Sequence, residues 1–247
     1  MKVTTLMLSC GRGDLLVQSF SSFLQTYNGS NHYIIVDDSG NKQQQHFIKQ
    51  WYPTFDKHFT HVGQAGALDL LIEKALHEDS DYYILLEDDW KFTKPGWFED
   101  SIRVLEQYPE VMLIGCSLTD TMRPYMGELQ QLPIKVNASG GDVTVNYSIP
   151  IHWHNPWRLD EKHGYWHGWC SSPRVMRRSD VELLPKFSNY TAEEIFDQQW
   201  WKYQYEHGRR SIWLGTTYCE HIGWGRSQFI QGDMLDPNIR TWLKVHV

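Results

Sequence analysis

The sequence predicts an α/β fold with a mostly parallel central sheet and helices on both faces. Strand and helix patterns alternate along the first half, the strand patterns are continuous apolar runs, and acidic residues directly follow two of these runs. The chain has 247 residues, of which 41% are hydrophobic and 14% aromatic, so it can bury one large core. We therefore expect a single domain over residues 1–247.

Five strands and four helices are predicted in the first half from hydrophobic periodicity. The predicted strands are Val3–Leu8, His32–Val36, Phe59–Val62, Tyr82–Leu86 and Val111–Gly115. The predicted helices are Asp14–Thr26, Gln43–Gln50, Ala67–His77 and Pro95–Tyr108. Pro95 is placed in the first turn of the last helix, where its missing N–H costs nothing.

The pattern is less regular in the second half. Thr121–Pro173 is rich in Pro, Gly, Asn and aromatic residues and has no helical period longer than a turn or two. We expect this stretch to be a long functional loop rather than a second core. Regular structure is predicted to return with a helix over Ala192–His207, ended by Gly208, and a strand over Ser211–Leu214.

One apolar run ends in three consecutive carboxylates, Glu87, Asp88 and Asp89. Adjacent acidic groups repel each other unless a positive charge lies between them. In an open parallel sheet, ligands bind beyond the carboxyl ends of the strands, and Asp37 and Asp38 follow the second strand at the same edge. The expected positive charge at this edge is a divalent metal ion.

Composition and charge limit the partners and the compartment. A formal net charge of -7 argues against a nucleic-acid partner, because binding phosphates requires a basic face. The basic cluster of Arg174, Arg177 and Arg178 would suit a phosphorylated small molecule, and a solvated basic helix start is the alternative. No run approaches the ~20 apolar residues of a membrane span and no signal peptide is evident, so we expect a cytoplasmic protein.

Five segments of the chain share a further property. They are Leu6–Arg12, Ile34–Gly40, Glu87–Asp89, Ala192–Asp197 and Cys219–Gly223. In this order they resemble five elements of the GT-A glycosyltransferases, in particular the family 2-like inverting enzymes that use nucleotide-diphosphate sugars. These elements are the nucleotide-binding turn after the first strand, the acidic second-strand motif, the DxD-type motif, the motif that supplies the catalytic base and the late strand-and-His element. Glu87 stands where the family's DxD-type motif has its first Asp.

The resemblance implies a Rossmann-like GT-A fold with a metal-dependent donor site. Asp89, with Glu87 or Asp88 assisting and His221 completing the site, would hold Mn²⁺ or Mg²⁺ on the diphosphate of the donor. An imidazole ligand at His221 favours Mn²⁺, because nitrogen ligands suit transition metals better than magnesium.

The resemblance also places Ser9, Arg12, Asp38 and Asp88 in the nucleotide-binding site. A carboxylate accepts hydrogen bonds from a uracil or guanine N–H, or from ribose hydroxyls, without a metal ion. Asp38 is preferred over Asp37, because strand alternation turns only one of them toward a given face. A turn in which both carboxylates cap backbone amides is the alternative interpretation.

Acidic residues at the start of the Ala192 helix are candidates for the catalytic base. Direct displacement at an anomeric carbon requires a base that removes the proton of the acceptor hydroxyl. Glu194 is preferred, Asp197 is the second candidate, and Glu193 would have a structural or acceptor-binding role. In the alternative interpretation, these residues and Thr191 only stabilise the helix N-terminus through capping and the helix dipole.

Two segments, Ile151–Trp157 and Gly164–Trp169, are unusually rich in His and Trp. Aromatic faces with nearby polar groups suit sugars, which stack a C–H face and need partners for their hydroxyls. We expect Trp166, His167 and Trp169 to bind the sugar or the acceptor closest to the reaction. Packing of a long loop and a zinc site are the alternatives.

The function predicted from these observations is transfer of a sugar from a UDP- or GDP-sugar to a carbohydrate acceptor, with inversion. Residues 1–120 would form the nucleotide-sugar-binding half, and residues 121–247 the acceptor-binding and catalytic half. A sugar-phosphate nucleotidylyltransferase is one alternative, but Ser9–Asp14 is a poor match to its Gly-rich triphosphate loop. A non-catalytic carbohydrate-binding protein is the other alternative, although such a protein has no need of a carboxylate trio.

Overall fold

The structure, a computed structural model, describes residues 1–30, 32–116, 129–138, 141–150, 173–190 and 193–223. Its strands in chain order are β1 (Val3–Ser9), β2 (His32–Asp37), β3 (Asp56–Phe59), β4 (Tyr82–Glu87), β5 (Trp90–Phe92), β6 (Val111–Gly115), β7 (Leu129–Ala138), β8 (Gly141–Pro150), β9 (Arg174–Arg177), β10 (Arg210–Trp213) and β11 (Cys219–His221). Its α-helices are α1 (Gly13–Thr26), α2 (Lys42–Trp51), α3 (Gln64–His77), α4 (Trp97–Gln107), α5 (Arg178–Val181) and α6 (Glu193–Glu206).

A seven-stranded sheet in the order β10-β6-β9-β4-β1-β2-β3 forms the centre of the molecule. β9 runs antiparallel to both of its neighbours, whereas every other pair in this sheet is parallel. Two small sheets accompany it, one of β5 with β11 and one of β7 with β8. The predicted α/β fold with a mostly parallel central sheet is confirmed.

The sheet is covered on both faces, which explains the continuous apolar runs of its central strands. In β4, Ile84 and Leu86 pack into one core cluster, while Tyr83 and Leu85 pack into the other. Helices α1 and α4 supply aromatic side chains to the first cluster, and α3 and α6 contribute to the second. Because successive side chains of a strand point to opposite faces, such a strand needs apolar residues at every position.

The predicted elements of the first half are all present, but two are displaced. The third strand lies at Asp56–Phe59 rather than Phe59–Val62, because this edge strand is only half-buried and its polar residues hide the strand pattern. Helix α4 begins at Trp97, so Pro95 lies before the helix and not in its first turn. Gly96 precedes the helix in a left-handed conformation, with φ of +98°, which glycine adopts without strain.

The expectation of a loop throughout Thr121–Pro173 is wrong for part of that range. β7 and β8 form an antiparallel hairpin, paired from Leu129 with Pro150 to Ala138 with Gly141. Alternate apolar residues in β8, from Val143 to Ile149, are the strand signal that the composition concealed.

The three arginines of the basic cluster contact other parts of the protein, and Arg178 is also the first residue of the short helix α5. Arg177 donates to the backbone carbonyls of Leu105, Tyr108 and Val111. Arg178 donates to backbone carbonyls in and after α3. Arg174 lies in β9 and is almost fully buried.

No helix within the described ranges is long and apolar enough to cross a membrane.

Candidate functional site

The acidic residues singled out in the sequence meet at one edge of the sheet. β1 pairs in parallel with β2 and with β4, in a register that places Ser9 beside Asp37 and Leu8 beside Glu87. The carboxyl ends of the three strands therefore lie side by side, and Asp88 and Asp89 directly follow the last of them. This edge is where ligands bind in open α/β sheets.

Asp37 holds the turns after β1 and β2 together. Its carboxylate accepts hydrogen bonds from the Gly11 backbone N–H, at 3.3 Å, and from the Ser39 hydroxyl, at 2.5 Å. Burial raises the pKa of Asp37 above its ordinary value, although these hydrogen bonds oppose the effect. Gly11 has φ of +77°, and a Cβ atom there would lie 3.1 Å from the Cβ of Ser39. Asp37 thus has the structural, turn-capping role that was the alternative interpretation of this motif.

Asp38 faces the loop after β3. Its Oδ1 atom accepts a hydrogen bond from the Val62 backbone N–H at 2.8 Å, and its own backbone N–H donates to the Ser9 carbonyl. The loop with His61 and Val62 therefore lies next to the turn after β1. The assignment of Asp38 to a nucleotide base or ribose stays a prediction.

Asp88 is fixed by the turn after β1. Its Oδ2 atom accepts from the Cys10 backbone N–H at 3.1 Å and from the Ser9 hydroxyl at 3.3 Å, and its Oδ1 atom accepts from Arg12. Burial raises the pKa of Asp88 to about 6, against the opposing effect of the Arg12 charge. Both oxygens of Asp88 therefore have protein partners.

The two carboxylate oxygens of Asp89 differ in their hydrogen bonding. Its Oδ2 atom accepts from the Arg12 guanidinium at 2.7 Å and lies 3.2 Å from Nε2 of His221. Its Oδ1 atom is buried and accepts no hydrogen bond within the described part of the chain. Burial favours the neutral acid, but the His221 hydrogen bond and the Arg12 charge outweigh it and leave the pKa of Asp89 below its ordinary value. Asp89 is therefore an anion at neutral pH.

A short antiparallel pair carries His221 to the acidic residues. β11 pairs with β5 so that His221 lies opposite Trp90, and the two ring centroids are 5.0 Å apart. The backbone N–H of Ile222 donates to the Asp89 carbonyl at 2.8 Å. β5 was not predicted from the sequence, although its apolar residues Trp90 and Phe92 flank a polar one, as in a short half-buried strand.

Gly223 lets this segment approach Asp89 closely. A Cβ atom on Gly223 would lie 2.5 Å from both the Cβ and the Oδ2 of Asp89, so one of the two segments would have to move. We expect Gly223→Ala to lower the free energy of unfolding by about 1–3 kcal/mol, the usual cost of overpacking, and to displace Asp89 from His221. Urea denaturation measures the first effect.

Gly66→Ala is the matched control for that substitution. A Cβ atom at Gly66 would lie 2.7 Å from Cγ2 and 3.2 Å from Cβ of the exposed Val62 side chain, so Val62 would have to shift slightly, and alanine is favoured over glycine within helix α3. We expect a smaller loss of stability from Gly66→Ala than from Gly223→Ala, because an exposed side chain gives way more easily than a buried one. Equal stability of the Gly223→Ala variant and the wild type would contradict the close packing described here.

Glu87 is directed to a different partner. Nη2 of Arg174 donates to Oε1 of Glu87 at 3.1 Å, which forms an ion pair between β9 and β4. Among the residues that the structure describes, no three His, Cys, Asp or Glu side chains lie close enough together to hold one metal ion. The predicted metal set of Asp89, Glu87 and His221 is therefore not assembled, because Arg174 neutralises Glu87 separately.

Two residues fit a metal ion at this edge. The buried Oδ1 of Asp89 is an anionic oxygen that receives no hydrogen bond from the described residues, and His221 adds an imidazole nitrogen within reach of the same carboxylate. An oxygen and a nitrogen ligand together suit Mn²⁺ better than Mg²⁺. A metal ion bound by only two side chains needs further ligands from water or from a bound molecule.

Comparison with known proteins gives a result at the level of the fold. No model of a protein family matches the sequence, and a search of curated proteins finds no match. Among solved structures, the chain resembles the mannosyltransferase PcManGT from Pyrobaculum calidifontis in complex with GDP-Man and Mn²⁺, with a TM-score of 0.57 and 12% identity over 99% of this chain and 68% of that chain. It also resembles GalNAc-T7 with UDP, GalNAc and Mn²⁺, with a TM-score of 0.57 and 8% identity over 90% of this chain and 44% of that chain.

A third match is TarS 1–349 from S. aureus in complex with UDP, with a TM-score of 0.51 and 10% identity over 89% of this chain. The chain has the GT-A fold. It spans 60% of the length of that TarS fragment. The structural similarity establishes the GT-A fold, and at such low sequence identities it establishes nothing beyond the fold.

Helix α6 carries the candidate bases of the GT-A chain. Glu194 lies in its first turn. Asp197 is 1% exposed. In the sequence it lies between Phe196 and Trp200, which are both part of the second core cluster. The described structure thus gives Asp197 a buried position on α6, while the roles of Glu194 and Asp197 as bases stay predictions. Trp166, His167 and Trp169 lie outside the described residues.

Proposed function

We propose that this GT-A chain is a metal-dependent glycosyltransferase that moves a sugar from a UDP- or GDP-sugar to a carbohydrate acceptor. One observation carries the proposal. Asp89, just beyond the carboxyl end of β4, presents beside His221 a buried anionic oxygen to which no group in the described ranges donates. A buried carboxylate oxygen that accepts no hydrogen bond is costly, and a bound cation would remove that cost.

Asp89 and His221 would hold the cation in this proposal, and Gly223 would keep their two segments in contact. Mn²⁺ or Mg²⁺, when bound, would supply positive charge to the diphosphate leaving group. Glu87 would contribute through its charge beside Arg174 rather than as a direct ligand.

The turns after β1 and β2 would bind the nucleotide. Ser9 and Asp88 fix the backbone of the first turn, and Arg12 offers a guanidinium for phosphate oxygens. Asp38 would accept a hydrogen bond from the base or the ribose, next to the exposed Val62 side chain. Binding of the diphosphate would then not require the basic cluster of Arg174, Arg177 and Arg178.

The acceptor would be activated from helix α6. Glu194 is the proposed base that removes the proton of the acceptor hydroxyl, with Asp197 as the second candidate. Trp166 and Trp169 would stack against the sugar or the acceptor. Inversion is proposed because the order of the motifs resembles that of the inverting family 2-like enzymes.

The solved structures with the same fold support this choice of donor. PcManGT was solved with GDP-Man and Mn²⁺, and GalNAc-T7 was solved with UDP, GalNAc and Mn²⁺. Both a guanine and a uracil nucleotide thus occur on the GT-A fold, and the proposal keeps both classes of donor.

A donor screen tests the proposal. The chain is incubated with a panel of UDP- and GDP-sugars and MnCl₂, with and without EDTA, and the released nucleoside diphosphate is measured. We expect release from one donor class that EDTA abolishes. Pyrophosphate formed from a nucleoside triphosphate and a sugar 1-phosphate would instead identify a nucleotidylyltransferase. Binding of carbohydrate that ignores both nucleotide and EDTA would identify a non-catalytic protein.

The stereochemical part of the proposal has a separate test. Proton NMR of the first product formed from an α-linked donor distinguishes a β product from an α product. We expect the β product, because direct displacement by the acceptor inverts the anomeric carbon. A first product with the α configuration would contradict inversion while leaving glycosyl transfer intact.

A further inference from the structure

Arg12 occupies the position at which the sequence requires a positive charge. Its Nη1 atom donates to Oδ2 of Asp89 at 2.7 Å, and its Nη2 atom donates to Oδ1 of Asp88. Asp88 is 1% exposed and Asp89 is 4% exposed, and the Arg12 side chain is itself mostly buried. The chain therefore partly neutralises its own acidic pair with a guanidinium from the turn after β1.

We infer that Arg12 acts as a stand-in cation. Asp89 pairs either with Arg12 or with a divalent metal ion, but not with both at the same time. The inference rests on the proposed function, because it concerns the same metal site. It assigns to Arg12 a positioning role in the metal-free protein that precedes any contact with a nucleotide.

Charge is the first reason for mutual exclusion. Asp88 and Asp89 bring two negative charges to the pair, and Arg12 already compensates one of them in a place that water hardly reaches. A divalent ion added beside the guanidinium would put three positive charges against two negative ones. Repulsion between like charges is strong where solvent screening is weak, so the ion and Arg12 cannot both stay at Asp89.

Unsatisfied atoms on both sides of the ion pair are the second reason. Nε of Arg12 is buried without a hydrogen-bond partner in the described part of the chain, and so is Oδ1 of Asp89. A guanidinium and a carboxylate that fit each other fully would use these atoms in a bidentate pair. The fit between Arg12 and Asp89 is thus incomplete, and the oxygen that Arg12 leaves unused is the one that a metal ion can take.

A consequence for the donor follows from this exchange. A guanidinium that leaves Asp89 is an uncompensated charge until it finds another anion, and a nucleoside diphosphate supplies phosphate oxygens of the right geometry. Metal and nucleotide diphosphate should therefore bind cooperatively. Without nucleotide, the competition with Arg12 weakens the apparent affinity for metal, because only the fraction of molecules with a free Asp89 can bind it.

Arg12→Met tests the inference directly, with binding rather than activity as the readout. MnCl₂ is titrated into the protein without nucleotide, and the EPR signal of free Mn²⁺ measures the bound fraction. We expect about tenfold or tighter Mn²⁺ binding by Arg12→Met than by the wild type. Addition of UDP or GDP, whichever the wild type binds, should tighten Mn²⁺ binding much more in the wild type than in the variant.

Thermal unfolding provides a second measurement on the same proteins. Removal of Arg12 leaves two buried carboxylates without their cation, so we expect a lower melting temperature in EDTA than for the wild type. Added MnCl₂ should raise the melting temperature of Arg12→Met by more than it raises that of the wild type. Arg12→Lys is the second variant, for use where Arg12→Met does not fold. It keeps the charge but not the planar fork, so its weaker ion pair with Asp89 should compete less and let Mn²⁺ bind more tightly than in the wild type, by less than in Arg12→Met.

Arg103→Met is the matched control, because it removes an arginine that is paired with Asp100 on helix α4. We expect it to bind Mn²⁺ as the wild type does. Unchanged or weaker Mn²⁺ binding by the folded Arg12 variants, in a protein whose wild type binds Mn²⁺ with nucleotide, would overturn this inference and leave the proposed function standing. No Mn²⁺ binding by any variant, with or without nucleotide, would overturn both.

Discussion

Asp89→Asn is expected to lower the rate of sugar transfer by about 10³-fold, the scale found when one group that stabilises transition-state charge is removed. The amide keeps the shape of the side chain and its contact with His221. It removes the anionic oxygen, which is buried and has no donor in the described structure. Release of nucleoside diphosphate from the donor that the screen identifies measures the effect.

A second Asp→Asn substitution controls for the change of residue type. Asp79 is exposed and pairs with Lys2 at the opposite end of the sheet from the acidic edge. Exposed ion pairs contribute little, so Asp79→Asn should retain wild-type activity and stability. A folded Asp89→Asn protein with full, EDTA-sensitive activity would remove Asp89 from the metal site.

Glu194→Gln is expected to lower kcat by 10²- to 10⁴-fold, which is the usual contribution of a positioned general base. Nucleotide binding in the presence of Mn²⁺ should stay unchanged, because Glu194 acts on the acceptor. The two measurements together separate a base from a residue that only stabilises the helix N-terminus. In the latter case kcat would be retained and only the free energy of unfolding would fall, by less than about 1 kcal/mol.

Asp197→Asn addresses the second candidate on the same helix. Asp197 is almost fully buried, so we expect its substitution to lower the free energy of unfolding by more than Glu194→Gln does. Glu206→Gln, at the exposed end of α6, is the control and should change neither quantity. A larger loss of kcat in a folded Asp197→Asn protein than in Glu194→Gln would exchange the two roles.

The fold could be predicted from the sequence because its central strands are buried on both faces. β4 is apolar at each position from Tyr83 to Leu86, and the three carboxylates directly follow this apolar run. A pattern of this kind is local, so it can be read without knowledge of the neighbouring strands. The edge strand β3 lacks that burial, and its position was the least accurate.

The partners of the acidic residues could not be predicted, because they come from distant parts of the chain. Arg12 reaches Asp88 and Asp89 from 76 or 77 residues earlier, and Arg174 reaches Glu87 from 87 residues later. A run of carboxylates in the sequence indicates that a cation is needed. The identity of that cation depends on the register of β1 against β4, which brings the turn after β1 to the carboxylates. The expected metal ion and the observed guanidinium satisfy the same electrostatic requirement.

The role of the basic cluster was also decided by long-range contacts. Arg177 and Arg178 satisfy backbone carbonyls at the ends of α4 and α3, and no local pattern distinguishes such arginines from phosphate ligands. Arg174 belongs to β9, the strand that joins the parallel strands β4 and β6. An inserted antiparallel strand interrupts the expected alternation of strand and helix, which is why it was missed.

The most direct test of the metal-dependent donor site is calorimetric titration of UDP and of GDP into the wild-type protein, in MnCl₂ and in EDTA. We expect one of the two nucleotides to bind in MnCl₂ and to bind at least tenfold more weakly in EDTA and in Asp89→Asn. That result would establish a metal-assisted nucleotide site and name its base. Binding of neither nucleotide by the folded protein in MnCl₂ would contradict the proposed function.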